Sequence, residues 1–342
     1  VFRTRRDDLS HESRVKRLDG MRNLAEWHDF ADRFILSSDS LDCETSDYLI
    51  NRGFDTDKAL LYSLPREDVD DYLSDLQVRL LAYTNGADAP IIENRQLFQQ
   101  SFHGLLPLAP VVAVLRRGEV IDGPALRKLF ADDFYWVLPA EQRRGGCMFV
   151  DTVAGELVTP ENRIPCPDLW AALRAANADA VVMRCPGPVE ALDRLRVFVV
   201  RDPASFAPKV MAAVVAMRTS RSGPFDTLAS GAVSAAIDVD TGTIVAAKHL
   251  VNGKPEDADV SDATGRTLIG RAVPHWWEIQ HEIRQALLRL PMFAVLQIDF
   301  SIGGARPLVF DATARVNAAE FQIHGPLMAN QVCRRFMREY GL

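Results

Sequence analysis

Two acids near the C-terminus each close an apolar run: Phe293-Ala-Val-Leu-Gln-Ile-Asp299-Phe300 and Pro307-Leu-Val-Phe-Asp311-Ala-Thr313. Between them lies Ser-Ile-Gly303-Gly304-Ala-Arg306. A period of two places Ala294, Leu296, Ile298 and Phe300 on one face of the first run, with Val295, Gln297 and Asp299 on the other. The second run divides likewise, Leu308, Phe310 and Ala312 against Val309, Asp311 and Thr313. A short hairpin loop centred on Ala305 would set Asp299 directly opposite Asp311. Cross-strand Cβ atoms then lie roughly 4.5–5.5 Å apart, a spacing at which like charges destabilise a sheet. A cation between the two removes the conflict. Mg²⁺ suits the pair, being a hard ion held through one or two carboxylates plus phosphate. The other reading is two solvated acids on an open sheet face.

The elements that must position this pair alternate along the chain. The first ninety residues read as polar and helical: Leu24, Trp27, Phe30 and Phe34 have helical spacing, and Ser63, Pro65 and Glu67 open a helix that Gly86 can end. Ile91-Ile92 leads into a helix through Glu93, Asn94, Arg95 and Phe98, followed by a strand over Pro110–Leu115. Asp122 and Pro124 open a helix over Ala125–Phe130. The strand Tyr135–Pro139, a turn at Arg143-Arg144-Gly145-Gly146 and the strand Cys147–Asp151 come next. After Cys166-Pro167 the pattern predicts a helix over Leu169–Ala176 and strands over Ala180–Met183, Arg196–Val200 and Val210–Arg218. Asp238-Val-Asp240-Thr-Gly242 lacks the spacing of an EF-hand and reads as a hairpin turn. A long helix from Trp276 to Leu290 ends at Pro291, and loose stretches fall at Ser220–Ser230 and Asn252–Thr264. The mixture is α+β.

Composition narrows the function classes. A chain of 342 residues with a formal net charge of −7 has room for two or three domains, and it lacks the basic stripe of a nucleic-acid-binding surface. No run approaches the ~18–20 apolar residues of a membrane span, and no signal-peptide pattern is readable. Val1 in place of Met is read as a trimmed start. Cys43, Cys147, Cys166, Cys185 and Cys333 show no C-x-x-C spacing, which favours buried or free thiols in a reducing, cytoplasmic compartment. Lysine is confined to Lys16, Lys58, Lys128, Lys209, Lys248 and Lys254, so a phosphate clamp must be built largely from arginine.

The ordered set Asp238-Val-Asp-Thr-Gly242, Val273-Pro274-His-Trp276, Leu296-Gln-Ile-Asp299-Phe and Pro307-Leu-Val-Phe-Asp311 resembles the ATP-grasp superfamily, specifically its sugar-transfer-associated group. The resemblance runs from about Tyr48 to the end. Asn94 with Phe98, Arg196, and Arg218 with Asp226 add to it. It implies an ATP-grasp fold, two α+β subdomains clamping a nucleotide, with a helical extension at 1–88, a lid subdomain at 89–180 and a metal-hairpin subdomain at 181–342. It further implies ATP and Mg²⁺ as cofactors and small-molecule carboxylate and amine substrates joined through an acyl phosphate. Asp299, Asp311 and Thr313 then become the metal-binding positions. Arg196 and Arg218 become bidentate anion donors, and Asp226 orients the substrate or one of these arginines. Arg143, Arg144, Gly145 and Gly146 form a loop over the phosphates, and Met183 stands beside the base.

The chain departs from that pattern at several positions. Asp311-Ala-Thr313 stands where Glu-x-Asn is usual, and Leu138 stands where the strand before Pro139 normally carries a phosphate-binding lysine. Arg95 replaces a typical lysine, and Met183-Arg184 replaces a common Gln-Glu pair. Leucine cannot contact a phosphate, so Arg143 or Arg144 would have to compensate. Three readings follow: an ATP-dependent carboxylate–amine ligase in a biosynthetic pathway, a degenerate binding or scaffold protein of the same fold, and a small-molecule kinase.

Overall fold

The computed structural model describes residues 26–32, 43–62, 66–123, 134–141, 148–151, 156–158, 163–165, 179–187, 193–219, 228, 231–260, 265, 267–302 and 304–342. Two seven-stranded antiparallel sheets form the frame. The first comprises β1 (Val111–Arg116), β2 (Glu119–Asp122), β3 (Phe134–Pro139), β4 (Met148–Asp151), β5 (Glu156–Val158), β6 (Arg163–Pro165) and β7 (Ala180–Cys185). Its order is β2-β1-β7-β3-β4-β5-β6. The second comprises β8 (Arg194–Arg201), β9 (Pro208–Met217), β10 (Val233–Ile237), β11 (Ile244–Val251), β12 (Lys254–Asp257), β13 (Val295–Ser301) and β14 (Leu308–Thr313). Its order is β12-β11-β10-β9-β8-β13-β14. Helices α1 (Cys43–Ile50), α2 (Lys58–Leu61), α3 (Asp75–Leu81), α4 (Ala89–Glu93) and α5 (Arg95–Phe102) precede the sheets in sequence. Helix α6 (Trp276–Arg289) enters β13, and α7 (Ala318–Gln322) and α8 (Gln331–Glu339) follow β14. The expected α+β architecture is what the chain adopts. Among the described residues no helix is long and apolar enough to cross a membrane.

The second sheet is covered on both faces. Leu195, Val197, Leu296, Ile298 and Phe300 pack with Trp276, Ile279, Ile283, Ala286 and Leu287 of α6 and with Phe98 and Phe102 of α5. The α6 positions recur at helical spacing, which is why the segment presents one apolar stripe to the sheet. On the other face Phe198, Val200, Val214 and Val295 pack with Phe321, Phe336 and Met337, and Leu73 and Leu81 close the same cluster. Buried Asn85 fastens the early helices to β13: its side-chain oxygen accepts from Ala294 N (2.7 Å) and Val295 N (3.1 Å), and its nitrogen donates to Val295 O (2.9 Å).

Helix α3 opens at Ser74, whose hydroxyl accepts from Gln77 N while the Gln77 side chain accepts from Ser74 N. That reciprocal capping box fixes its start. Two local expectations are corrected. The loose stretch at Asn252–Thr264 contains β12, paired with β11 through Lys248↔Asp257 to Val251↔Lys254. Strict alternation also fails along β14. A bulge separates the pair Asp299↔Asp311 from Phe300↔Val309, so Val309 joins Ala312 in the core beneath the sheet while Leu308 and Phe310 pack elsewhere. An extra residue on one strand shifts every side chain beyond it to the opposite face. The helices expected at Ala125–Phe130 and Leu169–Ala176 lie outside the described residues, as do Leu24, Phe34, Ser63 and Pro65.

The Asp238–Gly242 turn joins β10 to β11, as its composition predicts. Asp238 Oδ1 accepts from Asp240 N and Thr241 N, both at 2.9 Å, which makes the carboxylate part of the turn. Gly242 sits at φ +75°, and a Cβ there would lie 2.8 Å from Trp276 Cβ and against the indole ring. Trp276 Nε1 donates to Val239 O at 3.1 Å. The turn thus holds the start of α6. Gly242→Ala should destabilise the fold by about 2–4 kcal/mol, backbone strain and overpacking together. Gly253, at φ +79° with nothing within 4 Å of the position a Cβ would take, should register the strain alone when changed to Ala. Equal urea midpoints for the two variants would show that the Trp276 contact contributes nothing.

Candidate functional site

Asp299 and Asp311 are register partners across β13 and β14, and Gln297 pairs with Thr313 one step along the same face. Neither acid is a solvated surface group: Asp299 is 6% exposed, and the Asp311 side chain retains 21% of its exposure. Each carboxylate is held by an arginine. Arg196, opposite Asp299 on β8, donates Nε to Oδ1 (3.0 Å) and Nη2 to Oδ2 (3.1 Å). Arg95, at the start of α5, donates Nε to Asp311 Oδ1 (3.0 Å) and Nη2 to Oδ2 (2.7 Å). The fork of a guanidinium matches two carboxylate oxygens at once, and such pairs combine charge with fixed geometry. The like-charge conflict across the hairpin is therefore relieved by two guanidinium groups.

The Arg196 pair belongs to a closed ring. Its Nη1 meets the Glu320 carboxylate from α7. Glu320 Oε1 accepts from Asn317 Nδ2 (3.0 Å), Asn317 N donates to Gln297 Oε1 (2.7 Å), and Gln297 Nε2 donates to Asp299 Oδ1 (3.1 Å). Burial alone would raise the Asp299 pKa. The adjacent Arg196 guanidinium, with Arg194 behind it and the Arg196 and Gln297 hydrogen bonds, more than reverses this and holds the carboxyl below its ordinary value. Ser234, on β10, donates to Glu320 O (3.1 Å) and lies 3.0 Å from His324 Nε2. Burial, followed by nearby Lys248, lowers the His324 pKa to about 4, so the imidazole is neutral at pH 7.

Arg95 is anchored by more than Asp311. Asn94 caps α5 through its side-chain oxygen, accepting from Gln96 N and Leu97 N at 3.0 Å. That fixes the helix start, and Arg95 Nη1 then donates to Pro139 O at the end of β3 (2.6 Å), while Arg95 N donates to Ala140 O (2.9 Å). One side chain thereby links α5, the first sheet and the second. Beside it Ala109 N donates to Val309 O (2.7 Å), Val309 N donates to Pro107 O (2.8 Å), and Trp136 stacks on Phe310 at 4.9 Å between ring centroids.

The other anticipated residues fall as follows. Arg218 directly follows β9 and is partly buried. Met183, on β7, is fully buried with Trp136, Leu138, Val181 and Cys185 in an apolar cluster against which Leu308 and Phe310 pack. Leu138 is 2% exposed and lies in this cluster. Thr313 Oγ1 accepts from Arg315 N at 2.9 Å. Arg143, Arg144, Gly145, Gly146 and Asp226 lie outside the described residues. The sequence marks Arg95 only as a substitution, and its patterns do not single out Gln297, Asn317 or Glu320. The Asn317-x-x-Glu320 spacing at a helix start is the one signal that could have found them.

The donor chemistry fits a hard divalent ion: two opposed carboxylates, with the Thr313 hydroxyl beyond them on the same face. Among the described residues no group of three or more His, Cys, Asp or Glu forms a cage for a metal. Asp299 and Asp311 would have to act with oxygens from a ligand, as magnesium sites commonly do.

Two antiparallel sheets meet at a hairpin that carries opposed acids, in an α+β fold. Residues 186–334 match the family described as sugar-transfer associated ATP-grasp. This segment contains β8 through β14, Arg196 and both acids, and over it the resemblance read from the sequence is borne out. No curated protein matches the chain. Among solved structures the chain is similar to an ATP-grasp superfamily protein from Archaeoglobus fulgidus, at 10% identity and a TM-score of 0.33, covering 67% of this chain and 48% of that one. It is similar to D-alanine–D-alanine ligase from Bacillus anthracis complexed with ATP at 8% identity and a TM-score of 0.35, covering 66% and 57%. It is also similar to biotin carboxylase from Campylobacter jejuni at 8% identity and a TM-score of 0.41, covering 74% and 47%. The chain thus spans about half the length of these structures.

Because the folded state holds the Asp299 pKa below its ordinary value, the group contributes stability above about pH 4 that is lost as pH falls through the folded pKa. Asp299→Asn should lower stability at pH 7 by about 3 kcal/mol, since it removes one of the two carboxylates paired with buried Arg196 and leaves the other, Glu320, and should flatten the acid limb of the stability curve. Urea midpoints at pH 7 and pH 3 measure both effects. An unaltered acid limb would mean that Asp299 carries no part of it.

Proposed function

We propose that this chain is an ATP-dependent carboxylate–amine ligase of the ATP-grasp type, acting on small molecules in a cytoplasmic biosynthetic pathway. The observation that carries the reading is the in-register pair Asp299 and Asp311, inside the family-matched segment and one strand from Arg196. Among the described residues Cys185 and Cys333 are buried thiols outside any disulfide, which agrees with a reducing compartment. In this reading a carboxylate oxygen attacks the terminal phosphorus of ATP, releasing ADP and forming an acyl phosphate. An amine then attacks the acyl carbon and inorganic phosphate leaves.

Asp299, Asp311 and Thr313 would hold magnesium, which when bound neutralises phosphate oxygens during transfer. The buried ring from Arg196 to Gln297 fixes the orientation of Asp299 and prevents its carboxylate from turning. Arg218 supplies a guanidinium for the acyl-phosphate oxygens, and Asp226 orients it or the substrate. Backbone N–H groups of the Arg143–Gly146 loop, with its two arginines, cover the phosphates in place of the cation missing at Leu138. Met183, fully buried beside Trp136 and Leu138, would have to be uncovered to give the base an apolar contact.

A second reading has its own observation. Leu138, Met183 and Trp136 form a packed apolar cluster sealed by the Trp136–Phe310 stack, where this fold would otherwise offer a cation and a nucleotide surface. That packing favours a protein of the same fold that binds a partner without ATP chemistry.

Nucleotide products measured with Mg–ATP and panels of carboxylates and amines separate the readings. The ligase reading expects ADP and phosphate in equal amounts only when acid and amine are both present, and a fall of at least about a hundredfold for Asp311→Asn. ADP formed with a hydroxyl acceptor and no amine would indicate a kinase. Full turnover in Asp311→Asn would remove the metal pair from the mechanism.

A further inference from the structure

Asp299 and Asp311 face each other, but their arginines differ in kind. Arg196 lies on the neighbouring strand of the same sheet, is 6% exposed, and is enclosed in the ring with Glu320. Changing its partner would break a network confined to the second sheet and the adjoining α7. Arg95 reaches Asp311 from a different helix, and Asp311 is the more exposed acid of the two. The same guanidinium holds Pro139 O, so its contact with Asp311 ties the end of β3 to β14. Beside that tie, among the described residues, stand a backbone bridge through Ala109, Val309 and Pro107, a ring stack between Trp136 and Phe310, and the packing of Leu308 on the same cluster.

We propose that Arg95 is a built-in competitor for the divalent ion at Asp311, so that metal binding and latching of the two sheets exclude each other. The inference rests on the metal role proposed above for the hairpin. A guanidinium on both oxygens of Asp311 neutralises the charge that would attract a cation, and a second positive charge brought beside it is repelled. An ion taken by Asp311 therefore displaces Arg95. Release of Arg95 removes the charged tie between β3 and β14 and weakens the junction that the stack, the packing of Leu308 and the backbone bridge also hold. The freed guanidinium, still fixed to α5 by its backbone, is then available to an anion such as the phosphate that accompanies the metal. Arg95 is in this sense a positioning residue that exchanges a carboxylate for an anionic ligand.

The test uses Mn²⁺ alone as the probe, titrated into the full chain by calorimetry, with backbone hydrogen exchange read at Ala109 and Val309. Arg95→Gln should bind Mn²⁺ about tenfold or more tightly than the wild type, the scale of a lost charge-assisted hydrogen bond. Exchange at Ala109 and Val309 should be faster in that variant without metal, and should quicken in the wild type when Mn²⁺ is added. Arg95→Lys keeps the charge, loses the fork and should fall between the two, which guards against a folding defect in the first variant. Wild-type binding with no gain in either variant would overturn the competition and leave the metal site standing. No binding by any of the three proteins would overturn the metal site and the competition together.

Discussion

The ion pair between Arg196 and Asp299 is the constraint on which the site depends. Both groups are buried, and a buried charge without a partner costs several kcal/mol. The chain meets that demand with a closed circuit in which Glu320 and Gln297 complete the coordination and Asn317 joins them. The circuit spans β8, β13 and α7, so the strand pairing and the position of the C-terminal helices are coupled to the orientation of one carboxylate. Cores tolerate apolar exchanges of similar volume, but a satisfied polar ring specifies one arrangement. The register of the hairpin follows from it, and with the register the position of Asp311.

Asp311 connects this ring to the other half of the molecule. Its partner Arg95 is delivered by a helix whose start is set by Asn94 and whose apolar residues Phe98 and Phe102 lie in the core of the second sheet. The first sheet meets β14 through Pro139, Ala109 and the Trp136–Phe310 stack. The bulge at Phe310 makes this possible. It turns Phe310 toward Trp136 while Val309 remains in the core below, so a single inserted residue serves two packing surfaces.

Much of this is legible in the sequence. Hydrophobic periodicity locates β1, β3, β7 to β9, β13, β14 and α6 because each buries a face against a large partner, and the pairing of Asp299 with Asp311 follows from loop length. The charge balance is less accessible. Arg95 is 216 positions from Asp311 and Arg196 is 103 from Asp299, so no local pattern links the members of either pair. The bulge escapes detection because alternation assumes equal strand lengths, and Phe310 is apolar on either face. Strands β2, β5, β6 and β12 are short edge or near-edge pieces with weak patterns. The capping box at Ser74 also escapes notice, because its glutamine, Gln77, is an ordinary polar residue by composition.

The central claim is that the opposed acids belong to a site for a metal-bound nucleotide. The most direct measurement is thermal unfolding of wild type, Asp299→Asn and Asp311→Asn with ATP, with Mg²⁺ and with both. A ligand bound only by the folded state at a hundred times its Kd adds about 2.7 kcal/mol of stability. The account predicts that Mg–ATP raises the wild-type midpoint more than either component alone, and that this excess vanishes in both variants. An unmoved wild-type midpoint at millimolar Mg–ATP, or an equal rise in all three proteins, would contradict it.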